Sequence, residues 1–456
     1  VVTFAHDAPG TEATAWRRHP RRREVRALDP ARLLAPAPAP APAPERGSVL
    51  VVVAAHPDDE TLGAGALVAE AHARGVEVRV VVLTDGEASH PDSPTHTPAE
   101  LAGLRREEVR AAVDVLAPGS TPWLLGLPDG AVAAHEDEVV AALVGLVGDG
   151  RDTVVVAPWR GDQHPDHEAA GRAAAAAAVR TGARLLEYPV WFWHWGRPDL
   201  APWSDLRAVR SSPVAREAKA RAMAAHRSQV APLSAAPGDE ALLSPGFLAH
   251  FAGAEELFVE AGATDEALEQ VHRRDADPWG TDRRWYEQRK RSLLLAALPR
   301  ASFLRGLEVG CSTGALTAEL APRCRELVAL DASPAALGHA RDRLALLDGV
   351  RLEAAVVPGE WPEGDFDLVV LSETGYFLSP RDLEGLVERV RACLTDDGVL
   401  VLCHWRHRVE GWVLDGPDVH RVVAAAGLGD VLGAWVDRDV EILVIGPTDL
   451  LPDPRA

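Results

Sequence analysis

The 456-residue sequence is poor in cysteine, lysine, methionine and tyrosine, and it has no apolar run long enough to span a bilayer. Each shortage excludes something. Its four cysteines, Cys311, Cys324, Cys393 and Cys403, all lie in the last third and form no CxxC pair. That is too few for a disulfide framework and fits a reducing compartment. Lys219 and Lys290 are the only lysines, and the net charge is −21. Such an acidic surface repels phosphate backbones and anionic headgroups, so neither nucleic acid nor a membrane surface is an expected partner. The opening VVTFAHDAPG holds no apolar signal core, and a cytoplasmic location is expected. What is present is ordinary for a buried core: 47% hydrophobic and 25% charged residues, with length for two or three domains.

Residues 1–34 are polar and include Arg17, Arg18, Arg21, Arg22 and Arg23, read as a solvated arm. Alternating Ala and Pro from Ala35 to Pro44 form an extended linker, because each proline fixes φ and removes a donor. Ordered structure is expected from about Ser48. From there, buried-strand runs such as SVLVVVAA alternate with helical segments at Thr61–Arg74, Thr97–Leu116, His135–Val147 and His167–Thr181. The run LLEYPVWFW is read as the strand that closes the series. A second alternation follows a boundary near Ala261–Glu266, with strands in LRGLEVG, ELVALD, VRLEAAV, FDLVVLS, GVLVLCHW and VEILVIGP. Strand–helix alternation predicts parallel α/β sheets, whose ligands bind beyond the strands' carboxyl ends.

Two charged clusters sit at such ends. AHPDDE (His56, Asp58, Asp59, Glu60) follows the first strand, and HPDH (His164, Asp166, His167) follows TVVVAPW. Imidazole and carboxylate donors suit a catalytic divalent metal with one position left for water. The metal lowers the pKa of that water, and a spare carboxylate beside it can act as base. The alternative, two unrelated solvated loops, does not explain why both clusters fall at strand ends. His72, His90 and His96 are read as polar surface.

In AHPDDE and HPDH the chain resembles the PIG-L (LmbE-like) zinc N-deacetylases, over about residues 48–260. The resemblance implies hydrolysis of an N-acetyl group on an aminosugar. It implies Zn²⁺, or another divalent metal, on His56, Asp59 and His167, with Asp58 as general base. His164 would be the cation that stabilises the tetrahedral oxyanion or protonates the leaving amine. Arg105 (in R-x-x-E with Glu108) and Asp129 (in LPDG) would bind sugar hydroxyls. Some members carry tyrosine two residues before the first histidine of HPDH, where it helps hold the oxyanion. This chain has Asp162 there, so that task would fall on the metal and His164. Trp191, Trp193 and Trp195 alternate and would share one face of a strand, either as core or as a platform for a sugar ring. In KARAMAAHRSQ, His226 is read as structural or pocket-lining.

The second alternation opens with LEVGCSTG. Gly310 and Gly314 allow close approach of a ligand, and Asp331 ends the next strand where it can accept both hydroxyls of a ribose. A dinucleotide fold is the runner-up, but the pattern is not G-x-G-x-x-G. Glu308 before the first glycine would repel a pyrophosphate and suit a cationic ligand. With DPWG, WYEQRK, LSETGYFL and HWRH, this half resembles class I S-adenosylmethionine-dependent methyltransferases, the NodS-like group in particular. The resemblance implies that Glu308, Gly310, Cys311, Gly314, Asp331 and Ser372 line the S-adenosylmethionine site, Cys311 as a small residue beside the ligand. It further implies that Trp279, Tyr286 and Arg289 close over it, and that Glu373 and His404 hold or deprotonate the acceptor amine. The acidic residue that often contacts adenine is missing from AAVVPGEW, so backbone groups near Val356 and Val357 would take its place.

The expected architecture is two Rossmann-like three-layer α/β domains in one chain: an arm and linker (1–47), a deacetylase domain (48–262) and a methyltransferase domain (263–456). NodS-like enzymes methylate a sugar amine that is exposed only after deacetylation. The fusion therefore suggests two sequential steps on one small glycoconjugate. Two independent activities, or a second half that binds donor without catalysis, are the alternatives.

Overall fold

The computed structural model describes residues 10–35 and 47–450. The chain divides into two compact units, one running to Thr264 and the other beginning at Asp265, with Arg180–Gly182 grouped with the second. The Ala/Pro run beyond Ala35 lies outside the described residues. Among the described residues, no helix is long and apolar enough to cross a membrane.

The first unit is built on an eight-stranded sheet. Its strands are β1 (Arg26–Leu28), β2 (Val49–Ala54), β3 (Glu77–Thr84), β4 (Trp123–Leu127), β5 (Thr153–Pro158), β6 (Arg184–Tyr188), β7 (Leu206–Arg210) and β8 (Glu255–Val259), in the order β1-β7-β8-β6-β5-β2-β3-β4. The run β6-β5-β2-β3-β4 is parallel, and β8 pairs antiparallel with β6 and β7. The chain moves outward from β2 through β3 to β4, then returns to the other side of β2 as β5. The topological switch point therefore lies between β2 and β5, and AHPDDE and HPDH emerge at its carboxyl end. The helix Asp59–Ala73 starts at once after β2 and is buried along most of its length. Small residues permit this: a Cβ on Gly63 would lie 2.0 Å from the Tyr188 ring, whose hydroxyl donates to the Val53 carbonyl at 2.5 Å.

Two expectations are corrected here. Residues 13–34 are not a solvated arm. Strand β1 pairs in parallel with β7, and Trp16 is buried against Phe192, Trp193 and Trp203. The arginines are tethered: Arg17 donates to the Ala249 carbonyl and Arg22 pairs with Glu255, both at 2.5 Å. One buried tryptophan in a polar segment suffices to dock it. The run YPVWFW is also not a strand. Strand β6 stops at Tyr188 and Phe192–Trp195 is one helical turn. Pro189 has no N–H to continue the ladder, and the Asp162 carboxylate captures the N–H groups of Val190, Trp191 and Phe192 at 2.7, 2.9 and 2.9 Å. Trp191 then stacks on Trp195, one turn on, at 4.6 Å, while Trp193 faces Trp16.

The second unit holds a seven-stranded sheet of β9 (Phe303–Val309), β10 (Cys324–Asp331), β11 (Val350–Ala354), β12 (Phe366–Ser372), β13 (Leu394–Trp405), β14 (Asp430–Val436) and β15 (Val440–Gly446), in the order β11-β10-β9-β12-β13-β15-β14. Five strands are parallel, and β15 pairs antiparallel with β13 and β14. Its switch point lies between β9 and β12, where LEVGCSTG and LSETG leave the sheet. Both units are α/β with Rossmann-like topology.

Candidate active sites

At the first switch point three side chains converge. His56 Nδ1 lies 3.3 Å from His167 Nε2 and 3.5 Å from Asp59 Oδ2, and His167 Nε2 lies 3.2 Å from Asp59 Oδ1. Ligands at 2.0–2.1 Å from a tetrahedral metal are separated by about 3.3 Å. The two histidine nitrogens have the spacing of two ligands around one divalent ion, and Asp59 meets each of them through a different carboxylate oxygen. His164 belongs to the same constellation: its ring centre is 4.9 Å from that of His56 and 4.5 Å from that of His167.

The other nitrogen of each ligating histidine is held by carboxylates. His167 Nδ1 donates to Asp162 Oδ2 at 2.7 Å. His56 Nε2 faces Asp129 Oδ1 at 3.2 Å and Asp166 Oδ2 at 3.3 Å. Asp166 is fixed in turn by the N–H groups of Gly130 and Val132, and Asp129 by that of Ala88. Such partners set the orientation and basicity of ligating histidines. Against burial, the carboxylates Asp129, Asp166 and Asp59 hold His56 well above its ordinary pKa. Against the same penalty, Asp59 and Asp162 raise His167 to about 9. The cluster therefore favours positive charge where a cation would sit.

Asp58 adjoins this triad. It is buried, with φ 136° and ψ −26°, a backbone conformation costly for a residue with a side chain. Burial lifts its carboxyl to about 6, opposed by Arg105. His164 Nδ1 accepts the Asp166 N–H at 3.2 Å, which leaves the ring proton on Nε2. Burial, His167 and His56 all push the His164 pKa down, so the ring is neutral and the expected cation is corrected: it can donate a hydrogen bond from Nε2 but is not a proton source.

The expected sugar contacts have protein partners here. Arg105 is buried and donates to the carbonyls of Gly86 (2.8 Å) and Pro57 (2.6 Å) and to Asp58 (3.3 Å). Asp129 stands behind His56. Asp162, read as an empty oxyanion position, instead fixes His167 and the turn after β6. The sequence offered one sign of this, a carboxylate five residues before a ligating histidine at a strand end.

At the second switch point Glu308 is buried at the end of β9, and burial raises its carboxyl to about 8. Among the described residues Glu308 Oε2, Ser312 Oγ, Thr313 Oγ1 and Thr317 Oγ1 are buried without a hydrogen-bond partner. Buried polar atoms are rarely left so. They lie in and on either side of one glycine turn, Glu308 in β9, Ser312 and Thr313 in the turn and Thr317 in the helix Ala315–Leu320, and such a set fits a polar, cationic ligand. Gly310 and Gly314 take φ of 78° and 76°, and a Cβ on Gly310 would meet Thr374 Oγ1 at 2.0 Å. Asp331 closes the turn by accepting the N–H groups of Ser312 and Ser333, each at 2.8 Å. The Cys311 side chain packs on Ala329 and Leu337. The Val356 N–H, expected near adenine, is taken by Glu360 at 2.8 Å.

Beyond β12, Ser372 leads to Glu373, a second strained residue with φ 56°. Its carboxylate accepts from Lys290 Nζ at 3.0 Å, from the Trp405 N–H at 3.3 Å and from the Tyr376 hydroxyl. His404 is a correction. It is fully buried, its Nε2 accepts the Gly375 N–H at 3.2 Å, and its Nδ1 pairs with His420 Nε2 at 3.2 Å. With both nitrogens engaged, and burial pushing its pKa to about 3, it has no lone pair for an acceptor amine. Arg289 pairs with Asp437 at 2.7 Å beside Trp435, and the Tyr286 hydroxyl points to the Asp439 carbonyl. Both are anchored on the β14–β15 hairpin. Trp279 is partly exposed, near buried His272.

These features give a His/Asp cluster suited to a divalent metal and a glycine-turn cleft suited to a cationic ligand, each at the switch point of its own sheet. A family model described as GlcNAc-PI de-N-acetylase (PIG-L) matches residues 51–178, and one described as a methyltransferase domain matches residues 307–400. The chain is 36% identical over 157 residues to a 1D-myo-inositol 2-acetamido-2-deoxy-α-D-glucopyranoside deacetylase of Rhodococcus opacus, covering 29% of this chain and 54% of that protein. To the enzyme of that name in Rhodococcus erythropolis it is 29% identical over 286 residues, covering 50% and 95%. To nodulation protein S of Sinorhizobium fredii it is 35% identical over 103 residues, covering 22% and 48%. The chain thus spans about half the length of the R. opacus and S. fredii relatives. It joins a domain similar to the PIG-L deacetylases to a domain similar to the NodS methyltransferases, two enzyme-family domains in one chain.

Proposed function

We propose that the protein hydrolyses an N-acetyl group on an aminosugar conjugate and then methylates the freed amine, using a divalent metal, zinc first, and S-adenosylmethionine. The observation that carries the hydrolytic half is the convergence of His56, Asp59 and His167 within 3.5 Å of one another beside the buried carboxylate of Asp58. A divalent ion there supplies Lewis-acid polarisation of the amide carbonyl and acidifies water. Asp58 takes the proton of the attacking water. The His164 Nε2–H hydrogen-bonds to the oxyanion, and the proton that Asp58 took from water passes to the leaving nitrogen as the C–N bond breaks, releasing acetate and a primary amine. Trp191, whose ring lies 6.5 Å from His164 and nearly parallel to it, walls this side of the site.

In the second unit the donor supplies an electrophilic methyl group. Glu308 would hold its ammonium, Asp331 its ribose hydroxyls, and the glycine turn would admit it closely. Glu373, pinned by Lys290 and Tyr376, accepts a hydrogen from the acceptor amine and aims its lone pair. Methyl transfer needs little beyond such alignment. The coupling of the two steps rests on the chemistry: de-N-acetylation makes the amine that an N-methyltransferase consumes.

The test is to incubate the protein with N-acetylglucosamine oligomers and acetamidosugar conjugates, zinc and S-adenosylmethionine, and to follow mass. Methyl gain only on molecules that have lost acetyl supports the sequence. Acetyl loss with no methylation of pre-deacetylated acceptors refutes it, and leaves two independent activities or a donor-binding second half.

A further inference from the structure

Two stretches remain without a role: R-x-x-E on the helix Pro98–Leu116 and HRSQ at His226–Gln229. Together with Glu60 they close a ring around Asp58. Arg105 Nη2 donates to Asp58 Oδ2 at 3.3 Å. One turn on, Glu108 accepts from the Ser228 N–H at 2.8 Å and from Ser228 Oγ at 2.7 Å. Two residues before Ser228, His226 Nε2 faces Glu60 Oε1 at 3.2 Å. Glu60 Oε2 accepts the Asp58 N–H at 3.1 Å and returns the circuit to its start. All six side chains are buried. None of these bonds reaches the three proposed metal ligands.

We propose that this ring, and the Glu60–His226 pair in particular, is the positioning device of the general base. The inference rests on the deacetylase reading for its consequence but not for its geometry. Asp58 stands at φ 136°, where a non-glycine residue persists only if its surroundings hold it. Hydrogen bonds grip it from two sides, at the N–H by Glu60 and at the carboxylate by Arg105. A carboxylate gripped at one side only could turn away from the water it must deprotonate. Glu60 is a fully buried acid whose Oε1 accepts from the Thr61 hydroxyl at 2.6 Å and faces His226 Nε2 at 3.2 Å, the same nitrogen lying 3.2 Å from that hydroxyl. His226 thus packs its ring nitrogen against the Glu60–Thr61 pair, and the Glu108–Ser228 bonds hold the turn that carries it. This assigns positioning roles to Glu60 and His226, which touch neither substrate nor metal.

The experiment compares His226→Leu, His226→Gln and Ser228→Ala in the full chain. Glutamine can place an N–H near the position of Nε2, and leucine cannot. For His226→Leu, a kcat for acetate release lower by about 10–100-fold is expected, as for loss of other orienting partners. KM and zinc stoichiometry should change little, and His226→Gln should recover most of kcat. A crystal structure of His226→Leu should show Asp58 away from its positive φ. Retention of Asp58 at that φ, or equal losses in leucine and glutamine variants, overturns the proposal. If His226→Leu does not fold, Ser228→Ala carries the same prediction at smaller size, and an unchanged kcat there counts against it. A wild-type protein that releases no acetate from any acetamidosugar refutes the deacetylase reading, while the Asp58 conformation in the variant still decides the ring.

Discussion

The two switch points use one topology in opposite ways. In the first unit the proposed metal ligands and base already have partners: His167 has Asp162, His56 has Asp129 and Asp166, and Asp58 has Arg105 and Glu60, although Arg105 Nε and His226 Nδ1 are buried without one. In the second, four polar atoms in and beside the glycine turn have none, Glu308 Oε2 among them. A small ion with fixed bond lengths demands a cage built in advance, because an error of a few tenths of an ångström loses it. A large flexible donor brings its own hydrogen-bonding groups, so its cleft can hold unsatisfied atoms until the ligand completes them. Preorganisation is spent where the ligand is smallest.

Four substitutions probe that contrast. The largest effect is expected for Asp58→Asn, which keeps the shape of the cage and removes its base. Acetate release should fall by about 10²–10⁴-fold, with zinc content by mass spectrometry unchanged. Lost zinc would make Asp58 part of the cage rather than its base. Next is Asp162→Asn, which weakens the grip on His167. Zinc affinity, measured by competition with a chromophoric chelator, should drop by about 10–100-fold, while donor binding stays constant.

Glu308 tests the other half. Its carboxyl is raised to about 8, so in the free domain it is protonated at pH 7. Binding an ammonium at neutral pH should therefore expel a proton, seen by calorimetry in buffers of different ionisation enthalpy. Glu308→Gln should abolish that proton release and weaken donor binding by about tenfold, the loss of one charge-assisted hydrogen bond. The sign for stability follows the same shift. A raised acid favours the fold at low pH, and that contribution is lost as pH rises through about 8. The ligand-free wild type should melt lower at pH 9 than at pH 6, with the difference reduced in Glu308→Gln. The smallest effect is expected for Cys311→Ala. Its thiol packs on Ala329 and Leu337, and burial holds it well above the ordinary thiol range. Methyl transfer should change less than about threefold; a large loss would make the thiol a participant.

The helices were legible because their periods and caps are local. Thr97 was read as the start of a helix, and it caps Pro98–Leu116 through a reciprocal bond with Glu100. The parallel strands were legible as continuous apolar runs, since a strand buried on both faces has no alternation to hide it. The strands β7 and β8 were not. Leu206–Arg210 and Glu255–Val259 are short and mixed, and they are strands because each lends the other a ladder. His404 was misread for a related reason: a histidine at a strand end looks available until the helix Gly416–Ala425 brings His420 against it.

The sequence by itself determined which residue types stand at which strand ends, and hence that one half can hold a metal and the other a cationic donor. Those facts are contiguous in the chain: AHPDDE, HPDH and LEVGCSTG each lie within one turn. Only the tertiary structure decided how each atom is used. Asp162 was a missing tyrosine in the sequence and is a brace for His167 in the fold. Arg105 and Asp129, expected at a sugar's hydroxyls, were found bonded to Asp58 and facing His56. Glu60, Glu108, His226 and Ser228 had no joint meaning until the fold closed them into a ring. A hydrogen bond has no sequence period. Its partners are set by which elements the sheet order brings together, and that order is decided by burying the whole core at once.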